Sequence, residues 1–212
     1  MKLMIATAVA VTGVALLAGC TTMSKDQCLA GAWGEKGYQD GVSGYRTSRL
    51  DDHAQACAKF GVAANPSAYL SAREDGLRTY CTWENGFRQG RQGNSYGGVC
   101  APAEEREFLP AYEDGRRIYA VEQAVSAAES ALNSAISRID DREDKLDAKQ
   151  RELRQEGLSD EQRDRIRDRI REVRDEIRDA RRDARRAEDE LRYAEIEARA
   201  VIGAIGGRYG VW

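Results

Sequence analysis

Thiols are the side chains of this sequence best suited to chemistry, and one of its five cysteines stands apart from the other four. Cys20 ends the segment Leu17-Ala18-Gly19-Cys20, in which two small residues precede the cysteine. Lys2 and the apolar stretch at 3–17 complete the order of a secretory signal, which is a charge, an apolar run and a cleavage site. We therefore expect a peptidase to cut before Cys20 and the Cys20 thiol to accept a diacylglyceryl group.

The predicted anchor is lipid rather than a membrane-spanning helix, because the apolar stretch at 3–17 is shorter than the ~20 residues that cross a bilayer. Acyl chains contribute about 0.8 kcal/mol per buried methylene, so several chains hold a protein durably at a membrane. Residues 1–19 are then a lipoprotein signal peptide and residues 20–25 a lipidated tether. Thr21 stands where an aspartate marks inner-membrane retention in many Gram-negative bacteria, which favours the periplasmic face of the outer membrane.

The other cysteines form an even set in a compartment that we expect to be oxidising: Cys28, Cys57, Cys81 and Cys100. Two disulfides are the natural inference, and three connectivities are open. We favour Cys28 with Cys57 and Cys81 with Cys100, because these pairs close the shorter loops. Zinc is the alternative for four cysteines, but no Cys-x-x-Cys pair exists and His53 is the only histidine, so we expect neither metal nor cofactor.

A serine offers the sharpest enzymatic hypothesis, since Gly93-Asn94-Ser95-Tyr96-Gly97 fits the Gly-x-Ser-x-Gly pattern of a hydrolase nucleophile. That pattern needs a strand before the serine and a histidine downstream, whereas glycine-rich sequence precedes Ser95 and His53 lies upstream. We expect a turn at Ser95, an exposed His53 and no enzymatic activity. A serine hydrolase acting through Ser95 is the least favoured alternative.

Aromatic rings suggest a further alternative, a peptidoglycan- or glycan-binding envelope module. Rings at such spacing are more often core than binding surface. The candidate binding rings are Trp33, Tyr38, Trp83, Phe87, Tyr96 and Tyr112.

A repeat of a small residue, three others and a glycine runs through residues 26–119. Its copies are 37–41, 72–76, 86–90 and 111–115. On a helix these small residues lie one turn apart on one face, where another backbone can approach closely. We therefore expect a small, disulfide-tied helical head with short glycine-rich turns. Its recurring acids, Asp40, Asp75 and Asp114, are candidates for cation binding or acid–base work. Helix capping or pairing with Arg46, Arg73 or Arg116 explains their position about as well.

Residues 120–202 carry a different pattern, in which apolar positions step by alternating fours and threes. In the second half they are Ile166, Ile170, Val173, Ile177, Ala180, Ala184, Ala187 and Leu191. This spacing is the seam of a coiled coil. Gly157 can end one helix, and Ser159 with Gln162 can cap the next, so we expect a turn near 156–159 and two antiparallel arms. The glycines and rings of residues 203–212 predict a flexible tail that ends the rigid helix and either docks on the cysteine-rich part or touches lipid.

Charge on this chain does not favour a nucleic-acid partner. The formal net charge is −3, and acids and bases in the coiled-coil region are nearly equal in number. We interpret the charged helix faces as solvated.

The first part of the chain resembles the bacterial lipoprotein family known as domain of unknown function 2799, over roughly residues 24–120. The resemblance rests on Trp33, Gly37-Tyr38-Gln39-Asp40-Gly41, Cys57, Tyr69, Arg73, Gly76-Leu77, Tyr80-Cys81, Tyr96, Val99-Cys100 and Phe108, and on the run Ala111-Tyr112-Glu113-Asp114-Gly115-Arg116-Arg117-Ile118-Tyr119. That family has no assigned activity, cofactor or catalytic residue, so the resemblance implies none here. The charged hairpin lies beyond the shared core.

The sequence thus predicts a mainly α protein, with a disulfide-tied head and a long antiparallel coiled-coil hairpin. The favoured function is that of an outer-membrane-anchored periplasmic lipoprotein with a non-enzymatic, structural or interaction role. Its expected partners are the membrane, through lipid, and an envelope protein or another copy of itself, through the hairpin.

Overall fold

The computed structural model describes residues 22–210, and this part of the chain is built from helices without a strand. The predicted signal peptide at 1–19 and Cys20 lie outside the described residues. The helices are α1 (Lys25–Leu29), α2 (Trp33–Val42), α3 (Arg49–Ala58), α4 (Pro66–Tyr80), α5 (Trp83–Arg91), α6 (Pro102–Leu153) and α7 (Asp160–Tyr209). The predicted fold class, mainly α with a long helical hairpin, is confirmed. No helix in this range has an apolar stretch long enough to cross a membrane.

The first compact unit comprises residues 22–80 and 97–99. Its centre is the pairing of α2 with α4, and α1 contacts α3. The Cys28–Cys57 disulfide joins α1 to α3 and is one of the two pairings favoured above. It lies in a core that also contains Trp33 and Tyr69.

The second compact unit comprises residues 81–96 and 100–210. In it α6 packs against both α5 and α7, and the Cys81–Cys100 disulfide is the other favoured pairing. The sequence places a division after residue 119, but the units divide at residue 80 instead. The reason is that α6 runs unbroken through residue 119 and carries the α5 contact and the hairpin on one helix.

The hairpin of α6 and α7 buries its predicted seam between its own arms. Each arm has about 50 residues, which corresponds to a helix on the order of 75 Å long. The buried seam positions of α7 are Ile166, Ile170, Val173, Ile177, Ala180 and Ala187. On α6, Val121 and Ala135 are buried, while Leu132, Ile139 and Leu146 are half-buried.

The turn between the arms follows the predicted capping chemistry. Gly157 has a φ of 83°, a left-handed conformation that glycine adopts at low cost. The Ser159 side chain accepts a hydrogen bond from the Gln162 backbone N–H, and the Gln162 side chain accepts one from the Ser159 N–H at 2.8 Å. The predicted capping box is therefore confirmed.

The end of α7 differs from the flexible tail predicted for residues 203–212. The helix continues to Tyr209, and Gly210 provides the left-handed cap. Glycine lowers helix stability by up to about 1 kcal/mol at each interior position. Ile205 compensates for this loss because it is buried against Phe87 and Ile118.

Glycines bring α2 and α4 of the first unit into backbone contact. A Cβ on Gly37 would overlap the carbonyl oxygen of Tyr69, and one on Gly41 would overlap that of Arg73. Gly76 on α4 is crowded in the same way by the backbone of α2. A larger residue at any of these three positions would push the helices apart.

The second unit repeats this arrangement between α5 and α6. A Cβ on Gly86 would meet the Phe108 carbonyl oxygen, and one on Gly90 would meet that of Tyr112. Gly115 on α6 lies against the backbone of α5. The close helix packing predicted from the repeat is present twice, once in each unit.

Candidate functional site

A buried polar cluster in the first unit centres on Asp40, which is 2% exposed. Asp40 Oδ2 accepts a hydrogen bond from the Tyr69 hydroxyl at 2.6 Å and lies 2.7 Å from His53 Nε2. Lys36 Nζ and Arg49 Nε each lie 4.0 Å from Asp40 Oδ1. These four side chains replace the water that the carboxylate loses on burial.

His53 is fully buried, which corrects the expectation of an exposed histidine. Helix α3 carries the ring into the interior, and Asp40 on α2 faces it. Because a carboxylate only accepts, His53 Nε2 carries the proton of this contact. Nδ1 is buried and has no hydrogen-bond partner among the described residues.

Tyr69 is the third member of the cluster and is held in its protonated form. Burial, together with the hydrogen bond to Asp40, raises the pKa of Tyr69 well above its ordinary value near 10. Next to it on α4, Arg73 donates from Nε to the Tyr45 carbonyl oxygen at 3.0 Å. The loop after α2 is thereby tied to α4.

The chemistry of the Asp40 cluster follows from its burial. An aspartate beside a histidine has the composition of a general base, but such a base must come within hydrogen-bond reach of a substrate proton. Here His53 and Tyr69 are both fully buried. We therefore interpret the cluster as a polar tie between α2, α3 and α4.

Asp114, on α6, is the buried acid of the second unit. Its Oδ2 accepts hydrogen bonds from Arg208 Nη1 at 2.5 Å and from the Tyr209 hydroxyl at 2.9 Å. Arg117 lies 3.5 Å from the other carboxylate oxygen. The end of α7 is thus fixed to α6 about 90 residues earlier in the chain.

Tyr209 also joins α7 to α5. Its ring stacks on Phe87 with 4.5 Å between centroids and lies 5.6 Å from the ring of Trp83. Burial and the hydrogen bond to Asp114 raise the pKa of Tyr209. This contact explains why α7 extends beyond residue 202.

The repeat aspartates have partners other than the predicted arginines. Two are buried as described, and Asp75 is exposed, with Arg78 at 3.8 Å. The predicted arginines donate instead to backbone carbonyls, Arg46 to Gly97, Arg73 to Tyr45 and Arg116 to Gly93. The hydrogen bonds to Asp40 and Asp114 come from side chains on other helices, which spacing along one helix does not reveal; only the weaker contacts with Lys36 and Arg117 lie on the same helix.

The segment around Ser95 does not have the geometry of a nucleophile elbow. Helix α5 precedes it where the motif needs a strand, and Ser95 is exposed in an irregular stretch. The Tyr112 hydroxyl donates to the Asn94 carbonyl oxygen at 2.8 Å, and the Tyr96 hydroxyl donates to Glu105 at 2.8 Å. The segment is a loop secured to α6.

In a comparison with known protein families, one family model matches the region that contains both glycine-packed helix pairs. Residues 32–117 match the family model described as protein of unknown function, DUF2799. This match covers less than half of the 212 residues, so it describes the region 32–117 and not the whole chain. No curated protein and no solved structure matches the chain.

The six candidate rings all lie in the matched region, and they do not form one binding surface. Trp33 and Phe87 belong to hydrophobic cores, which corrects their placement on such a surface. Tyr96 and Tyr112 are half-buried and hydrogen-bonded to the loop and α6. Tyr38 and Trp83 are exposed, at 47% and 39%.

Most of the hairpin lies beyond the DUF2799 match, and its outer faces are charged. Many arginines of α7 contact an acid three positions earlier, as Arg192 does with Asp189 at 2.7 Å. In addition to the Arg208–Asp114 contact, ion pairs cross between the arms from Arg142 to Glu176 at 3.6 Å and from Arg181 to Glu143 at 2.7 Å. Exposed pairs of this kind add little stability, so they mainly make the faces soluble.

Proposed function

We propose that this chain is a lipid-anchored protein of the periplasmic side of the outer membrane, and that it works by binding an envelope protein through its hairpin rather than by catalysis. The anchoring is supported by the secretory signal and by Cys20 after two small residues. An oxidising compartment is supported by the Cys28–Cys57 and Cys81–Cys100 disulfides.

The observation that carries the interaction role is the self-contained seam of the hairpin. Among the described residues, the packing of α6 against α7 leaves Val173 only 1% exposed and Ile177 only 6% exposed. A helix pair that fills its own seam needs no partner to stay folded. Its long charged faces are then free to meet a partner.

The polar clusters support a role without catalysis. His53 and Asp40 lie in the interior of the first unit, and Asp114 serves as the fixing point of α7. Ser95 lacks the strand that a nucleophile elbow requires. Among the described residues, no group of three His, Cys, Asp or Glu side chains is placed to hold a metal ion.

A shortened hairpin tests this function. Removing 139–152 and 163–176 takes two heptads from each arm, preserves the seam spacing and keeps Ser159 and Gln162 of the turn. We expect in-cell crosslinking followed by mass spectrometry to recover fewer envelope partners with this variant. Equal amounts of lipidated protein in the membrane fraction serve as the control, and an unchanged set of partners would remove the hairpin from the role.

The glycan-binding alternative has less support, because two of the six rings that it needs are buried in cores. Sedimentation with purified cell wall distinguishes it. Retention that disappears in Tyr38→Ala or Trp83→Ala would favour glycan binding over a protein partner.

A further inference from the structure

The outer face of α7, opposite the seam, changes from charged to apolar near residue 192. Positions seven residues apart on this face carry, in order, Asp168, Asp175, Arg182, Asp189, Ile196 and Gly203. A helix with a single apolar face needs one packing partner to bury that face, and α6 is this partner for the seam of α7. From residue 193 onward α7 has a second apolar face that α6 does not cover.

This second face has large exposed side chains and a coiled-coil spacing. Tyr193 is 67% exposed and Ile196 is 51% exposed, the first of these being the most exposed large apolar side chain described. The exposed positions alternate by three and four along about 21 Å of helix. We name these positions the outer stripe: Tyr193, Ile196, Ala200, Gly203 and Gly207.

The two glycines of the outer stripe are not explained by packing within the chain. Gly37 and Gly41 have the same spacing of four, and the backbone of α4 lies against both. At Gly203 and Gly207, an added Cβ would meet no atom of the described residues within 4 Å apart from the chain neighbours and the nearby backbone of α7 itself. Each costs the helix up to about 1 kcal/mol relative to alanine, without a compensating contact in this unit.

We infer that the outer stripe packs against the outer stripe of a second copy, with the two α7 helices parallel. In a parallel pair, a residue just before one stripe position meets the residue five places later on the other helix. Arg192 and Glu197 hold these two places, so Arg192, which contacts Asp189 of its own helix at 2.7 Å, also lies within reach of Glu197 of the second copy. Glu197 has no basic residue three or four positions away on its own helix.

The parallel arrangement rests on the proposed function, because copies anchored by lipid in one membrane share their orientation. The stripe is short, and the pairing is therefore weak between free chains in solution. Tethering to a membrane raises the effective concentration of one copy around another. The glycine end lets the two backbones approach, as glycine does at the α2–α4 contact.

Cysteine crosslinking in membranes of cells that make the full chain tests the inference. Two cysteines bridge only when their Cα atoms lie within about 7 Å, which the pairing allows at residue 196. We expect Ile196→Cys to give a disulfide-linked dimer under mild oxidation. The matched control Arg182→Cys lies two heptads earlier on the same exposed face and should give at least about ten-fold less.

Reversing the charges at residues 192 and 197 gives a second test of the pairing, which is scored by the amount of crosslinked dimer. Added to Ile196→Cys, Arg192→Glu turns both attractive pairs into repulsive ones, and we expect about a five-fold loss of dimer. Adding Glu197→Arg should restore it. Equal crosslinking at residues 182 and 196, no crosslinking at either, or no restoration would each overturn the inference. The shortened hairpin keeps the outer stripe, so loss of partners and loss of dimer are scored separately.

Discussion

The two glycine-packed helix pairs share a backbone arrangement but are covered differently. Tyr38 follows Gly37 in the first unit as Phe87 follows Gly86 in the second, yet Tyr38 is 47% exposed and Phe87 is 6% exposed. The cause is α7, whose Tyr209 stacks on Phe87. The glycine spacing therefore fixes how two helices meet, and a third helix decides which of their outer positions is buried.

The polar residue before the second glycine of each pair also differs in burial, but here the residue of the first unit is the buried one. Asp40 precedes Gly41, and α3 buries it under His53. Gln89 precedes Gly90 at the equivalent place, is half-buried, and accepts a hydrogen bond from Asn94 at 2.7 Å. One position of the repeat thus carries a buried acid in one unit and a partly solvated amide in the other.

The largest expected effect separates these two residues. Asp40→Ala leaves Tyr69 and His53 without their acceptor in a buried place, and we expect a loss of about 3–5 kcal/mol in the free energy of unfolding. Gln89→Ala should cost less than about 1 kcal/mol, because water can replace its contacts. Urea unfolding of both variants measures the difference, and similar losses would contradict the assigned contrast.

Glycine substitution gives the next largest effect. Gly76→Ala places a methyl group against the α2 backbone, and we expect a loss of about 2–3 kcal/mol. Gly207→Ala has open space around it, so in the monomer it should add up to about 1 kcal/mol of helix stability. Thermal unfolding followed by circular dichroism reports both, and a tolerated Gly76→Ala would argue against close backbone contact.

A smaller effect separates the two aspartates that precede the last glycine of the repeat in α4 and in α6. Asp114→Ala removes the acceptor of Arg208 and Tyr209, and we expect a loss of about 1.5–2 kcal/mol. Asp75→Ala removes an exposed contact with Arg78 and should cost less than about 0.5 kcal/mol. Hydrogen exchange at the end of α7 should rise in the first variant alone.

The smallest effect appears only at alkaline pH. The raised pKa of Tyr69 means that the unfolded chain releases this proton near pH 10 while the folded chain keeps it. The corresponding stability is complete below pH 10 and declines above it, by at most about 1.4 kcal/mol per pH unit. We expect Tyr69→Phe to flatten the decline in urea midpoint between pH 10 and 11. Parallel curves for the two proteins would show that Tyr69 does not contribute.

Much of the fold is predictable from local patterns. The seam of α7 follows from the spacing of Ile166, Ile170 and later apolar residues, because burial on a helix requires that period. Ser159 and Gln162 lie close enough in sequence to specify their own capping geometry. The disulfide pairs follow from loop length, since short loops close at lower entropic cost.

The remaining features depend on contacts between distant segments. His53 has an ordinary polar sequence environment, and its burial depends on where α3 meets Asp40. The glycines after residue 202 indicate a helix end, but Ile205 and Tyr209 gain enough from α5 and α6 to continue the helix. The spacing of residues along the sequence does not predict such contacts.

The mass of the mature amino terminus tests the account most directly, because both the proposed function and the pairing of copies require a chain held at a membrane by lipid. Mass spectrometry of the protein extracted from membranes should show a first residue at Cys20 that carries acyl chains. An uncut and unacylated chain that begins at Met1, recovered from the soluble cytosolic fraction, would contradict it.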